Sequence, residues 1–261
     1  RASVIANAQQ YHKTVGTIEA KLQVGTTPGN PNMFALLQNA QNNIQIMNAN
    51  TDALTQLAAR RIPVLAVSGN HDSAERLDFA SSLLAEQNVH IAGRFTGCPK
   101  QVVLNDRHGP IEFTLLPFVR AATVRHYLPD ADITDYDSAV GAALAVCEPA
   151  APRRVLVAQM VVSGVCPPQL SGSETAPLTV GTVDSVDAAR FAGFCYAALG
   201  HIHRAQRVGI DAVRYAGAPL CYHLDECGMQ KSVTLVRVGK RGVEKIEQLP
   251  LTPRRALRHL T

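Results

Sequence analysis

The sequence predicts an α/β fold, and three observations carry that prediction. From residue 61 onward, short apolar segments (62–67, 155–158, 196–199) alternate with stretches of helical character, the pattern of helices packed on a sheet. Two of these segments are followed by glycine-led histidine motifs, Gly69-Asn70-His71-Asp72 and Gly200-His201-Ile202-His203. A strand that turns at glycine delivers its next side chains to one rim of a sheet, the usual place for a site in an α/β domain. The third observation is a change of texture near residue 58. The segment before it holds eight of the eleven asparagines, seven glutamines, no cysteine and five charged residues, Arg1, Lys13, Glu19, Lys21 and Asp52.

The elements follow in order. An amphipathic helix is expected over 3–22, then the turn-rich Gly25-Thr26-Thr27-Pro28-Gly29-Asn30-Pro31-Asn32. A second helix is expected where Phe34, Leu37, Ile44, Met47, Leu54 and Leu57 recur at three- and seven-residue steps. Residues 62–67 read as a buried strand, 74–87 as a helix and 89–92 as a strand. Segments 102–104 and 111–116 have the spacing of a hairpin around Asn105-Asp106-Arg107-His108-Gly109. A helix over 138–147, a strand over 155–158, a short helix over 186–191 capped by Ser185 and a strand over 196–199 come next. The strand-rich end (213–215, 232–238 and 243–249) suits antiparallel pairing on one edge, and no internal repeat is present.

Composition excludes several classes. With 46% hydrophobic residues and mean hydropathy near zero, 261 residues suffice for one substantial core or a core with a small appended domain. No run approaches the roughly 18–20 apolar residues of a membrane helix, and no basic region followed by an apolar core marks a secretory signal, so a cytoplasmic protein is expected. Cys98, Cys147, Cys166, Cys195, Cys221 and Cys227 contain no Cys-X-X-Cys pair and read as reduced, mostly buried thiols. A net charge of +4 is compatible with a polyanionic partner without specifying one. No Gly-X-Ser-X-Gly elbow and no Gly-Lys-Ser/Thr phosphate loop occurs.

The two motifs carry the chemistry. Asn70 offers a neutral carbonyl oxygen to a cation, His71 can donate a proton to a phosphate oxygen or leaving group, and Asp72 can orient the imidazole or the loop. The competing structural reading is a helix-capping turn. In His201-Ile202-His203, a period of two along an extended segment puts both rings on one side, which suits two ligands of one metal or one ligand for each of two. Arg153-Arg154 and the tail Arg254-Arg255-Ala256-Leu257-Arg258-His259 read as solvated charge, and His90, His108 and His126 as surface or loop residues.

Residues 59–261 resemble the nuclease subunits of the calcineurin-like metallophosphoesterases. The resemblance rests on Pro63-Val64-Leu65-Ala66-Val67-Ser68-Gly69-Asn70-His71-Asp72-Ser73-Ala74-Glu75-Arg76-Leu77, Leu115-Leu116-Pro117-Phe118 and Tyr196-Ala197-Ala198-Leu199-Gly200-His201-Ile202-His203-Arg204. It continues in Arg214-Tyr215-Ala216-Gly217-Ala218-Pro219-Leu220 and Lys231-Ser232-Val233-Thr234-Leu235-Val236. It implies a four-layer αββα sandwich, incomplete at its N-terminus, over 59–225, with the start of a small capping domain over 226–261 and an atypical helical segment over 1–58. It further implies two Mn²⁺ ions, Asn70, His201 and His203 as metal ligands and His71 as the group that assists the leaving oxygen. Where the family has one more histidine ligand this chain has Gln159, whose carbonyl is a poorer ligand for Mn²⁺ than imidazole. The family's Asp-X-His and Gly-Asp strand ends, the second carrying the metal-bridging aspartate, do not occur in residues 1–58.

The expected function is metal-dependent phosphodiester hydrolysis at DNA ends in repair and recombination. The implied partners are a long coiled-coil ATPase, DNA and a second nuclease subunit. A catalytically degenerate scaffold that binds DNA or the ATPase is the alternative, and a phosphodiesterase for small nucleotides the third.

Overall fold

The computed structural model describes residues 60–79, 81–164, 168–172, 185–253 and 257, together with 10, 13–18, 20, 31–33, 35–42 and 56. The chain divides into two compact units, 1–64 with 86–89 and 65–85 with 90–261. In the first, residues 13–18, 31–33 and 35–42 are helical, and Ile18, Met33 and Ala40 are buried. Pro31 and Asn32, expected in a turn, already belong to the helix, in keeping with proline's preference for a first helical turn. Phe34, Ile44, Met47, Leu54 and Leu57 lie outside the described residues.

The second unit is built on a six-stranded mixed sheet. Its strands are β3 (Lys100–Asp106), β4 (Gly109–Leu116), β5 (Arg153–Gln159), β8 (Tyr196–Gly200), β9 (Gln206–Val208) and β10 (Ile210–Tyr215), in the order β3-β4-β5-β8-β10-β9. The four central strands are parallel, and β3 and β9 run antiparallel at the edges. The expected 102–116 hairpin is present, one residue of β3 facing one of β4 from Lys100↔Leu115 to Asp106↔Gly109, with Gly109 at φ +97° in the turn. Of the strand-rich end, 232–238 and 243–249 pair antiparallel as expected. Residues 213–215 pair parallel with β8, not antiparallel, and the antiparallel neighbour of β10 is the unforeseen β9.

Period-two alternation buries both faces of this sheet. Leu116, Leu156, Ala158, Leu199, Val213 and Tyr215 meet the helices α3 (Ala121–Tyr127) and α4 (Tyr136–Ala145) through Val124, Tyr136, Ala139, Val140 and Ala143. On the other face, Leu115 and Val102 pack with Leu65, Val67 and Ala92 of the two-stranded sheet β1 (Val64–Val67) and β2 (Val89–Ala92). Ile111, Val155 and Tyr196 pack with Val236, Val238, Val243 and Ile246 of the hairpin β11 (Ser232–Gly239) and β12 (Gly242–Pro250). Helices, central sheet and small sheets make three layers of a mixed α/β unit. Strands β6 (Val161–Ser163) and β7 (Ser185–Asp187) form a parallel pair.

Several elements depart from the sequence reading. The helix expected over 74–87 is two short ones, α1 (Ala74–Asp78) and α2 (Ser81–Ala85), interrupted beside Phe79, which is 81% exposed. The segment 186–191 is the end of β7 followed by a 3-10 turn over Ala188–Phe191, and its cap is Asp187, whose carboxylate accepts from Ala189 N, not Ser185. Arg153 and Arg154 are not solvated. Arg153 is buried, holds Asp106 through both carboxylate oxygens (2.7 and 2.8 Å) and donates to Gly109 O. Arg154 Nε donates to the buried Glu112 at 3.1 Å. Strand alternation sends the two guanidiniums to opposite faces, where each finds a carboxylate. Among the thiols Cys147 is buried, Cys98 exposed, and Cys195, Cys221 and Cys227 half-buried.

Candidate functional site

Three of the structure's loops bring the sequence-predicted residues together. The first follows β1. Ser68 is pinned by its backbone N–H on Ala92 O (3.0 Å) and its hydroxyl on Gly93 O (2.6 Å), and Phe118 N donates to its carbonyl (2.9 Å). The chain then turns at Gly69, whose N–H donates to Asp72 Oδ2 at 2.8 Å. Asp72 therefore closes the turn and does not cap the helix, and the N-cap residue Ser73 makes no side-chain cap bond either. Asn70 and His71 lie exposed on the turn that this bond fixes.

The other two loops leave the C-terminal ends of neighbouring parallel strands. Gln159 ends β5 and faces Gly200, the last residue of β8, in register. Gln159 is thus beside His201. Its Nε2 donates to Asn70 Oδ1 at 2.8 Å and lies 3.0 Å from His201 Nδ1. An amide nitrogen only donates, so His201 Nδ1 accepts and the ring carries its proton on Nε2. The Gln159 Oε1 is buried and has no hydrogen-bond partner among the described residues. A side chain at Gly69 would bring its Cβ to 3.3 Å from Gln159 Nε2, so glycine there leaves room for the amide.

The His-X-His segment is not the extended run that a period of two assumes. His201 has φ +102°, a conformation costly for any residue with a Cβ, and the chain bends there. The two rings consequently have different partners. His203 Nδ1 lies 2.9 Å from Oε1 of Glu226, which is fully buried. The carboxylate only accepts, so Nδ1 bears the proton and Nε2 is the ring's acceptor when the imidazole is neutral. Lys231 Nζ donates to the other carboxylate oxygen at 2.6 Å and to the His203 carbonyl at 3.2 Å, and Tyr222 N approaches Oε2 at 3.4 Å. Burial pushes the Glu226 pKa up, but hydrogen bonds from Lys231 and His203 and the Lys231 charge outweigh it, holding the carboxyl below its ordinary value.

Sequence reasoning missed Glu226 and Lys231. Lys231 lies in one of the segments that carried the resemblance, but nothing in the local pattern around Glu226 announces a partner 23 residues away. Sequence reading did name Asn70, His71, Gln159, His201 and His203. Of these, the structure joins Asn70, Gln159 and His201 by direct contacts, leaves His71 exposed on the adjoining turn, and ties His203 to Glu226.

The donor set meets only part of the metal centre that the resemblance implies. Asn70 Oδ1 and His201 Nδ1 both direct acceptor lone pairs at one N–H₂ group, so a divalent cation at that point would meet one oxygen and one nitrogen ligand. Turning the Gln159 amide over would add Oε1 as a third. A carboxylate behind a ring nitrogen, as in Glu226–His203, is the usual support of a metal-ligating histidine. Among the described residues no three His, Cys, Asp or Glu side chains converge to hold a metal ion. These residues therefore fit one ion in part, and the bridging carboxylate of a two-ion centre is not among them. No helix among the described residues is long and apolar enough to cross a membrane. No protein-family model matches the sequence.

Proposed function

We propose that residues 59–261 form a phosphodiesterase domain of the calcineurin-like metallophosphoesterase class, the three layers described above belonging to a four-layer αββα sandwich and residues 226–261 to the start of a capping domain. Within that class we infer a DNA nuclease subunit of the SbcD type. Its reaction is hydrolysis of phosphodiesters at DNA ends, its partner an SbcC-type ATPase, and its assembly a homodimer.

One observation carries the reading. Acceptor atoms from two separate loops, Asn70 Oδ1 and His201 Nδ1, converge on a single donor group at the C-terminal edge of a parallel sheet. That arrangement suits a cation and, with it, a phosphate. Asn70, His201 and Gln159 would hold Mn²⁺, with His203 presented by Glu226. The metal, when bound, polarises the phosphoryl oxygen and lowers the pKa of its water. The chain's own contributions are positional. Asp72 fixes the turn, Asn70 orients the phosphate side, and His71, on the exposed turn, donates a proton to the departing alcohol oxygen.

The test is Mn²⁺-dependent hydrolysis of bis(p-nitrophenyl) phosphate and of a linear DNA duplex by the chain and by His201→Ala. Activity that falls more than about tenfold in the variant supports the nuclease. The same amide favours a second reading, a catalytically silent scaffold that docks DNA or the ATPase, because Gln159 stands where an ion would sit. Hydrolysis absent from the chain and from Gln159→His, with DNA binding intact, is the result that selects the scaffold.

A further inference from the structure

A half-open cavity of about 530 Å³ lies beyond His203, within the range of about 300–1,000 Å³ of small-molecule sites. Its lining includes three permanent cations, Arg204, Arg207 and Lys231, and no Asp or Glu. Two of the cations are matched close by. Lys231 is paired with Glu226, and Arg207 with Asp211 at 3.3 Å. The acceptor that Arg204 meets is neutral, since its Nη1 donates to Gln169 Oε1 at 2.8 Å, and its Nε is buried with no hydrogen-bond partner among the described residues. Asp211 also serves Arg214 at 3.3 Å, so the two carboxylates do not neutralise the three cations of the lining, and Arg204 meets a neutral acceptor where the other two meet a carboxylate.

The wall around Arg204 is built, not incidental. Gln169 N donates to Gln206 Oε1 (2.9 Å) while Gln206 Nε2 donates to Gln169 O (2.8 Å) and approaches Arg204 O (3.3 Å). That reciprocal clamp fixes the backbone of Gln169, whose side-chain oxygen receives Arg204. Opposite, Ala216, Gly217 and Ala218 keep the floor small. Gly217 has φ +79°, and a Cβ there would come within 2.7 Å of Ala205 N. Ala218 N donates to His203 O at 3.0 Å, tying that floor to the histidine of the candidate site.

We propose that this cavity is a phosphate subsite that takes a nucleotide, with Arg204 as the anion-binding residue. A planar guanidinium with donors to spare matches a phosphate in a two-point hydrogen bond, as an ammonium does not. That the phosphate belongs to a nucleotide rests on the nuclease reading. The shared chemistry is a phosphate monoester or diester, and its source is either a released mononucleotide or the strand that feeds the site.

The experiment is calorimetric titration in EDTA, without any divalent ion, so that binding is read apart from hydrolysis. Thymidine 5′-monophosphate, thymidine and a four-nucleotide oligothymidylate are titrated into the full chain, Arg204→Gln, Arg204→Lys and His201→Ala. The expected result is that the monophosphate binds the full chain and His201→Ala alike, binds Arg204→Gln at least about tenfold more weakly, and that thymidine does not bind. Arg204→Lys, which keeps the charge without the fork, falls between. Preference for the monophosphate identifies the product, and preference for the oligonucleotide identifies the strand. Equal affinity in Arg204→Gln with an unchanged melting temperature, or no binding of either phosphate compound at millimolar concentration, overturns the subsite. Intact binding without Mn²⁺-dependent hydrolysis would count against the nuclease alone.

Discussion

Replacing Glu226 by Gln tests whether the buried carboxylate organises His203. The substitution keeps the shape and removes the charge. In the native chain Glu226 is fully buried and the Lys231 side chain is 6% exposed, so the ammonium would lose its counter-charge with almost no water to replace it. Removing one partner of a buried pair costs about 3–5 kcal/mol, and the retained amide oxygen, still able to accept from Lys231, recovers part of that. An expected loss of about 2–4 kcal/mol lowers the melting temperature by roughly 4–16 °C in a unit of this size. The effect has a signature in pH. Glu226 has a folded pKa below its unfolded value, so its contribution is fully present above the ordinary carboxylate range and is lost as pH falls through the folded pKa. The gap between wild type and variant should be widest near pH 7 and narrow below about pH 4.5. Calorimetric melts across that range measure it, and nitrogen NMR of His203 reads whether Nδ1 keeps its proton. A drop of under 2 °C at pH 7, or a gap that stays constant into acid, would refute the reasoning. Adding Lys231→Met should restore part of the loss, because the orphaned cation is then gone.

Two further outcomes follow from the geometry. His201→Gly relieves a backbone conformation that costs about 1–3 kcal/mol in a residue with a Cβ, so it should leave the melting temperature unchanged or raised while abolishing the hydrolysis proposed above; a clear destabilisation would mean that the imidazole contacts outweigh the strain. Burial raises the Cys147 thiol pKa to about 11, with the neighbouring Cys98 and Glu112 adding to the effect, so a thiol reagent at pH 8 should label the exposed Cys98 quickly and Cys147 only on unfolding, as peptide mapping over time would record.

What the sequence disclosed depended on range. Apolar strands punctuated by glycine were legible because the signal is local, and so the turn that carries Asn70 and His71 was placed, and the two strands expected over 155–158 and 196–199 run one residue further, to Gln159 and Gly200. The parallel pairing of β10 with β8 was not, since strand direction is set by the crossover and not by the segment itself. Arg153-Arg154 misled for a related reason. A basic doublet looks solvated until the fold supplies Asp106 and Glu112, 47 and 42 residues away in sequence. The geometry of His201-Ile202-His203 was misjudged because an extended period of two was assumed for a segment whose first residue adopts a positive φ. Glu226 gave no signal, being one acidic residue in a 3-10 turn whose meaning comes only from the imidazole and ammonium it meets.

The amide of Gln159 would give the proposed cation site a threshold. It fastens the turn after β1 to the end of β8 through two internal hydrogen bonds, one to Asn70 and one to His201. An ion that takes those acceptors competes with a group of the chain's own that is always present at the same spot. At about 0.5–1.5 kcal/mol for each of the two bonds displaced, the concentration needed for half occupancy would rise by roughly 5- to 140-fold over an unlatched pair of ligands. In the proposed site, occupancy would therefore require breaking two hydrogen bonds that the chain makes to itself, both set by one glutamine.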